Sequence, residues 1–186
     1  ATITYKGREK LDNSMVDVVT VEAKAPGFYD VDTIYGFIES FTPLRVERKI
    51  NLFGEDIAIF EEYNLSTNTV VITRQGRKTT TEKFESNNRI GNVILLLYYF
   101  RHSERKFDIG DRFEFNLPTK KLEMVVDKFS KLVVPKGRFN ALFIHSIPSK
   151  FKVWLDPENG NIPLRIQGAI GFGNTYLALI DVEKSR

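Results

Sequence analysis

A short, strongly apolar segment from Ile90 to Arg101 interrupts a chain that otherwise has the alternating pattern of β-strands. Within it, Val93, Ile94 and Leu97 recur at helical spacing, and further apolar side chains fill the opposite side. A helix that is apolar all round is a buried helix, and about eleven residues make a rod of roughly 16 Å. The segment therefore predicts one short helix that covers part of a β-sheet.

The rest of the chain shows period-two alternation in short runs. In the clearest run, Leu44–Leu52, four aliphatic residues share one face, while Arg45, Glu47, Lys49 and Asn51 occupy the other. Turns rich in Pro, Gly and Asn separate the runs at regular spacing, which favours an antiparallel meander over parallel βαβ units. The predicted strands are Met15–Ala23, Tyr29–Ile38, Leu44–Leu52, Ile57–Tyr63, Thr69–Arg74, Phe107–Leu117, Lys121–Phe129, Phe139–Ile147, Phe151–Asp156, Ile162–Gln167 and Thr175–Val182.

These patterns predict a mainly β protein built on a single highly curved antiparallel sheet, either a half-barrel or an open barrel. One short buried helix near residues 90–101 would cover the sheet. The length of 186 residues fits a single β-rich domain, residues 1–186. With 42% hydrophobic residues, including 15 Phe and 7 Tyr, the chain can close a substantial core. The sequence contains no run of about 18 apolar residues, and it therefore predicts no transmembrane helix.

Composition also narrows the classes of function. The formal net charge of +3 is too small to favour nucleic-acid binding. Local basic groups such as Arg74, Arg77 and Lys78 are interpreted mainly as solvated surface, with an anionic ligand or a membrane contact as the lesser alternative. The absence of Cys excludes thiolate catalysis, disulfides and cysteine metal sites, and is compatible with either redox environment.

The sequence motifs and residue spacings indicate no catalytic residue, metal or cofactor. His102 and His145 are the only histidines and have no ligand-like neighbours at zinc spacing, and no Gly-x-Ser-x-Gly elbow occurs. Asp30 and Asp32 share one face of a predicted strand and are candidates for a polar pocket, although solvated strand faces often carry such pairs. The sequence therefore leans towards a protein that is not an enzyme. An enzymatic role would need Asp30, Asp32 and His145 to converge.

Five landmarks follow one another in the second half of the chain. They are Tyr98-Tyr99-Phe100-Arg101, Phe107-x-Ile109-Gly110-Asp111, Val134-Pro135-x-Gly137-x-Phe139-x-Ala141, Val153-Trp154-Leu155-Asp156, and Ile162-Pro163-Leu164-Arg165-Ile166 leading to Phe172-Gly173. In this order and spacing they resemble the bacterial exported-protein family known as domain of unknown function 3108. The first half matches more loosely, through Tyr29–Tyr35 and Thr42-Pro43-Leu44-Arg45. The resemblance implies an exported, periplasmic or cell-surface β-rich protein and supplies no established activity. A removed export signal would explain a start at Ala1, as would trimming of the chain.

We expect a non-enzymatic envelope protein that binds an apolar or amphipathic partner, such as a lipid, an acyl chain or a peptide, in the concave face of its sheet. The residues expected at the ligand are Tyr98, Tyr99, Phe139, Phe143 and Trp154, with Arg101 and Arg165 as anchors for an anionic group. The alternative for all of them is ordinary core packing. The alternative function is a scaffold, or a glycan-binding or protein-binding module, that uses strand edges or an outer basic face with surface positions such as Arg48, Lys49 and Lys120.

Overall fold

The protein is described from a computed structural model, which covers residues 1–102, 106–169 and 174–183. It is mainly β, with two antiparallel sheets and one α-helix among the described residues, as predicted in outline. The fold divides into two compact units, Ala1–Tyr99 with Asn116–Lys120, and Phe100–Phe115 with Lys121–Arg186. The single domain 1–186 stays a prediction, and the two units are described separately below.

The first sheet is a seven-stranded antiparallel meander in which each strand pairs with the next strand in sequence. A 3₁₀ turn, Ile38–Ser40, precedes its fourth strand. The core of this unit includes Val16, Val19, Ile34, Ile50 and Val70. Ile34 and Ile50 alternate with more exposed neighbours, whereas β2 is buried continuously from Val16 to Val19. The strands are β1 (Thr2–Leu11), β2 (Ser14–Ala25), β3 (Phe28–Phe37), β4 (Thr42–Leu52), β5 (Glu55–Asn64), β6 (Thr69–Gln75) and β7 (Thr79–Glu85).

The second sheet is a six-stranded meander, again with neighbours in sequence paired. The core of this unit is aliphatic and aromatic, with Phe100, Phe115, Met124, Ile144 and Leu155 at or near zero exposure. A second 3₁₀ turn, Pro157–Asn159, follows β11. The strands are β8 (Arg112–Leu117), β9 (Lys120–Val134), β10 (Gly137–Ile147), β11 (Phe151–Asp156), β12 (Ile162–Ala169) and β13 (Asn174–Ala178).

The α-helix, α1, spans Val93–His102. Asn92 caps its start, because the Asn92 Oδ1 atom accepts hydrogen bonds from the amides of Ile94 at 2.8 Å and Leu95 at 3.3 Å. Leu95 and Leu96 have no exposed surface and Leu97 is 2% exposed. The prediction of a short buried helix near residues 90–101 is therefore confirmed.

The prediction of one continuous sheet was wrong. Neither sheet pairs its first strand with its last, so neither closes into a barrel, and a single highly curved half-barrel is not confirmed. The break falls between β7 and β8, where α1 and its flanking loops take the chain out of the ladder. The segment beside β8 at this point is the loop before α1, since Ile90 forms an isolated bridge with Asn116.

Individual strand predictions also needed correction. β1 and most of β7 had not been predicted, and the predicted strand Phe107–Leu117 begins only at Arg112. A turn precedes it, because the Asp111 amide donates to the Asp108 carbonyl at 3.0 Å and Gly110 has φ +98°. The predicted strand Thr175–Val182 ends at Ala178 in the structure, and Phe172-Gly173 lies outside the described residues.

Candidate functional site

A group of charged side chains lies on a mainly apolar face of the seven-stranded sheet. Asp32 of β3 is the cross-strand partner of Arg48 of β4, and Val46 is the partner of Glu61 on β5. Since side chains alternate between the two faces of a strand, these registers put one set of residues on the same side, which we call the Arg48 face. Its members on β2 to β6 include Asp17, Val19, Val21, Ala23, Asp30, Asp32, Ile34, Gly36, Val46, Arg48, Ile50, Leu52, Ile57, Ile59, Glu61, Tyr63, Val70, Ile72 and Arg74.

At the centre of this face, Arg48 is held by two aspartates. Its Nε atom lies 2.8 Å from Asp30 Oδ1 and 3.1 Å from Asp32 Oδ1, and its Nη2 atom donates to Asp30 Oδ2. The side chains of Arg48 and Asp30 are each 12% exposed, and that of Asp32 is 17% exposed. The bidentate pair therefore fixes the Arg48 guanidinium against Asp30, and Asp32 is the less well paired of the two carboxylates. We call Asp30, Asp32, Arg48, Glu61 and Tyr63 the Arg48 cluster.

The cluster carries more negative than positive charge. Burial raises the pKa of Asp32 to about 6, the positive charge of Arg48 opposes that rise, and the negative charges of Asp30 and Glu61 add to it. Burial likewise raises the pKa of Glu61, against the hydrogen bond from Tyr63 and the charge of Arg48. The pKa of the Tyr63 phenol is raised well above its usual value by burial and by Glu61. One guanidinium thus faces three carboxylates in a poorly solvated place.

The surroundings of the cluster are apolar and only partly covered. Ile34, Val46 and Ile50 are buried, whereas Ile57, Ile59, Ile72 and Val21 on the same face are half-buried. The covering helix lies towards one end of the face, because a Cβ on Gly36 would meet Leu95 Cδ1 at 2.7 Å. Asp32 is four residues along β3 from Gly36, or about 13 Å in an extended strand.

A shallow depression of about 310 Å³ extends the Arg48 face beyond Ile59. Ile57 and Arg74 line it and both belong to the face, and the remaining lining comes from the β4–β5 and β6–β7 hairpins. Ile57 is two residues from Ile59, the cross-strand partner of Arg48. Apolar surface next to the charged cluster is therefore continuous with a hollow at the lower end of the size range of small-molecule sites.

A second buried carboxylate in the first unit has a structural role. Asp17 is 5% exposed and accepts hydrogen bonds from the Tyr5 hydroxyl at 3.0 Å, the Arg8 Nε at 3.2 Å and the Ile38 amide at 3.1 Å. These partners satisfy the charge and tie the 3₁₀ turn at Ile38 to β2. Unlike the Arg48 cluster, Asp17 is well matched by its donors.

The aromatic residues that the sequence nominated as a ligand lining are packed side chains in both units. Within the first unit, the Tyr98 ring lies 6.0 Å from Tyr5, and the Tyr99 ring meets Phe41 edge-on at 5.3 Å. Tyr98 is buried and Tyr99 is half-buried. Arg101, which was expected to anchor an anionic group of the ligand, is exposed near the end of α1.

Within the second unit, three nominated residues form a row across the sheet. Phe143 pairs with Trp154 and Trp154 pairs with Arg165, and the Phe143 and Trp154 rings stack at 4.7 Å. The Arg165 guanidinium lies 5.5 Å from the Trp154 ring and 5.2 Å from the Tyr176 ring, and its Nη2 donates to the Val133 carbonyl at 2.9 Å. Arg165 is therefore engaged by the protein itself, which fits a packing role.

Phe139, like Arg101, is a further nominated residue of this unit. It is half-buried and packs against a small cluster that contains Leu132 and Ala141. The convergence of Asp30 and Asp32 with His145 stays a prediction, because the two aspartates belong to the first unit. His145 belongs to the second unit, where its ring stacks on Phe143 at 5.6 Å and its Nδ1 lies 3.3 Å from the Ser146 carbonyl oxygen.

Sequence reasoning found Asp30 and Asp32 but missed Arg48, Glu61 and Tyr63. Arg48 had been counted among surface positions, and that was wrong because its side chain is mostly buried. A signal was present, since Arg48 occupies the central apolar-face position between Val46 and Ile50. Glu61 likewise follows Ile57 and Ile59 in the alternation of β5.

Residues 1–102, 106–169 and 174–183 contain no group of three or more His, Asp or Glu side chains arranged to hold a metal ion. They also contain no helix with the length and apolar character needed to span a bilayer.

Comparison with known proteins leaves the site to be interpreted from its own geometry. No protein-family model matches this chain, and no curated protein or solved structure is significantly similar to it. The resemblance to domain of unknown function 3108 therefore stays a prediction.

Proposed function

We propose that this protein is a non-enzymatic binding protein that holds an amphipathic molecule along the Arg48 face. The apolar part of the ligand would lie on the half-buried Ile57, Ile59 and Ile72, and its polar head would meet the Arg48 cluster. The observation that carries the proposal is the charge imbalance of that cluster: three carboxylates and one guanidinium on an apolar, partly open surface.

The charge imbalance also suggests the class of head group. A carboxylate that is desolvated and under-compensated, as the raised pKa of Asp32 indicates, is stabilised by a positive charge or by strong hydrogen-bond donors. A cationic head, such as the amine of a lipid, an alkylamine or a basic peptide, supplies both. The expected polarity is thus the reverse of the sequence-based expectation, in which Arg101 and Arg165 anchored an anionic group.

The cover over the face is consistent with reversible binding. α1 buries the end of the Arg48 face near Gly36 and leaves Ile59 and Ile72 half-buried. A ligand that completed the burial of these side chains would gain about 25 cal/mol for each Å² of apolar surface removed from water. In this proposal the seven-stranded sheet alone acts as the half-barrel. Export to the periplasm or the cell surface is part of the proposal, on the strength of the resemblance.

Isothermal titration calorimetry with matched amphiphiles tests the proposal. Dodecylamine, dodecanol and laurate share a chain length, so differences among them report on the head group when each is kept below its micellar concentration. We expect the amine to bind most tightly and laurate most weakly. Equal binding of all three, or preferred binding of laurate, would contradict the assigned polarity.

The chain offers a matched pair of variants for this experiment. Glu61→Gln removes a carboxylate from the Arg48 face, whereas Glu62→Gln removes its exposed neighbour, which points to the opposite face of β5. We expect Glu61→Gln to weaken amine binding by about tenfold, equivalent to about 1.4 kcal/mol, and Glu62→Gln to leave it unchanged. Similar losses for the two variants would show that binding is not at the cluster.

A scaffold role is the second candidate, and the form of β7 favours it. This strand, Thr79–Glu85, is at the end of the first sheet, and six of its seven residues are exposed. A strand edge of this kind can accept an added strand from a partner. Crosslinking in cells from Lys83, with Lys49 and Lys120 as comparison positions, would capture such a partner specifically at Lys83. Uniform labelling from all three lysines would count against it.

A further inference from the structure

One end of the seven-stranded sheet presents exposed apolar side chains on hairpin tips. The β2–β3, β4–β5 and β6–β7 hairpins all turn at this end, since consecutive strands of a meander alternate in direction. Phe53 is 82% exposed, Tyr29 is 39% exposed and Leu52 is 36% exposed. We call these three residues the Phe53 tip. The exposure of Phe53 is unusual, because folded proteins usually bury so large an apolar ring.

The backbone at Phe53 adds a second observation. Phe53 and Gly54 form the two-residue connection between β4 and β5, with φ +49° and +88°. Such turns favour Asn-Gly or Asp-Gly, because a bulky residue with positive φ is sterically strained. The chain therefore carries a strained aromatic residue at a position where a small polar residue would fit better and would be better solvated. Strain of this kind is concentrated at functional sites.

The strained ring is also held in place by the neighbouring hairpin. The Phe53 amide donates to the Gly27 carbonyl at 2.7 Å. A Cβ on Gly27 would lie 2.7 Å from two carbons of the Phe53 ring, so the ring rests directly on the Gly27 backbone. The contact orients the ring but leaves most of it in solvent. Two hairpins thus present one fixed aromatic side chain rather than a mobile loop.

Cationic side chains flank the Phe53 tip. The Lys24 Nζ lies 5.2 Å from the centre of the Tyr29 ring, and Arg74, Arg77 and Lys78 are exposed on the adjoining β6–β7 hairpin. Two of these cations form ion pairs with carboxylates at the same end, Lys24 with Glu22 and Arg77 with Glu55, and Asp56 accepts a hydrogen bond from Asn51. The four cations exceed these three carboxylates by one, so the named groups carry a small positive excess.

We propose that the Phe53 tip inserts into the interfacial layer of a lipid membrane that contains anionic lipids. An exposed aromatic ring that rests on a neighbouring hairpin, with cations beside it, matches the aromatic and basic anchors of peripheral membrane proteins. Three side chains at hairpin turns and the strand ends beside them offer much less area than the roughly 800 Å² per partner of a stable protein interface. A bilayer accepts such a tip because the head-group layer adapts around it. This contact is separate from the Arg48 cluster and does not require the proposed ligand.

Tryptophan fluorescence with lipid vesicles tests the proposal. Phe53→Trp places a reporter at the tip, and subtraction of the wild-type spectrum removes the contribution of Trp154. We expect its emission to shift to the blue with vesicles of phosphatidylcholine and phosphatidylglycerol, and to shift less with phosphatidylcholine alone. Met15→Trp is the matched control, since Met15 is 57% exposed at the opposite end of β2, and its emission should not shift.

A loss-of-binding variant completes the experiment. Phe53→Asn suits the positive φ of the turn, so it should fold at least as well as the wild type by thermal melting, while binding mixed vesicles about tenfold more weakly in flotation assays. Asp32→Asn should bind vesicles like the wild type, which separates this surface from the ligand site. Unchanged flotation of Phe53→Asn, or equal blue shifts at positions 53 and 15, would overturn the proposal. So would a blue shift of Phe53→Trp that depends on protein concentration without vesicles, because it would assign the tip to a second copy of the chain.

Discussion

In the Arg48 cluster, replacing one charged residue, Asp32, should raise the free energy of unfolding, although most substitutions of partly buried residues lower it. Asp32 has a pKa of about 6 in the fold against 3.8 for an ordinary aspartate, because burial disfavours its charged form more than Arg48 favours it. A group whose pKa is raised by folding stabilises the fold only while it holds its proton. The stabilisation that protonated Asp32 gives is therefore lost as the pH rises from about 4 to about 6 and beyond.

The size of this effect follows from the shift. About two pKa units, at 1.36 kcal/mol each, correspond to roughly 3 kcal/mol of destabilisation at pH 8. Asp32→Asn keeps the shape of the protonated side chain and removes that cost, so the variant should be about 2–3 kcal/mol more stable than the wild type at pH 8. At pH 4.5 the same shift leaves a difference of only about 1 kcal/mol. For a chain of this length the shift in Tm at pH 8 would be about 5–10 °C.

Asp30→Asn is the informative contrast, because Asp30 is bidentate to the same guanidinium. Its loss leaves Arg48 with its less well-placed partner, and we expect destabilisation of about 1–3 kcal/mol. Urea unfolding at pH 4.5 and pH 8, followed by far-ultraviolet circular dichroism, measures both variants, with the exposed Glu62→Gln as control. Equal destabilisation by Asp32→Asn at the two pH values would instead show that the ion pair with Arg48 outweighs the cost of burying Asp32.

Further predictions concern binding and packing. Affinity for dodecylamine should fall as the pH drops through about 6, because protonation of Asp32 removes the charge that binds the amine, and calorimetry at pH 5 and 7.5 would show it. Gly36→Ala should lower stability by at least about 2 kcal/mol, since its Cβ would lie 2.4 Å from the Thr42 carbonyl oxygen, and a normal Tm would contradict that contact. Leu97→Glu places a charge at a site that is 2% exposed and should cost at least about 3 kcal/mol, so an unchanged melting curve would show that α1 is not buried. Trp154→Ala removes the stack on Phe143 and should cost about 2–4 kcal/mol in urea unfolding, whereas a loss below about 1 kcal/mol would show that the row is not a packing element.

Local periodicity accounts for the parts of the fold that the sequence predicted. The apolar positions of α1 repeat over a dozen residues, and strands such as Leu44–Leu52 have one apolar and one polar face. β7 lacks that contrast, because Thr79, Glu82 and Lys83 leave it polar on both faces, and its full extent was therefore missed. The division into two sheets depends on whether β7 pairs with β8, and that partnership is not encoded in either strand alone.

Only part of the candidate site could be predicted from the sequence, for a related reason. Asp30 and Asp32 stand out because they lie two residues apart on one strand, a spacing that can be read from the sequence. Arg48 and Glu61 join them through the registers of three strands, and a register shift of one residue would move each side chain to the opposite face. An ionisable residue at an apolar position of a strand was the available signal.

The Arg48 face is proposed to be the binding surface for a cationic amphiphile. Titration of ¹⁵N-labelled protein with dodecylamine, followed by amide chemical shifts, tests it residue by residue. The largest changes should fall on β3, β4 and β5 around Asp32, Arg48 and Glu61, and should be smaller in Glu61→Gln at the same concentrations, with saturation at about tenfold more amine. Shifts confined to β10 and β11 around Trp154, or no saturable shifts at all, would contradict the claim.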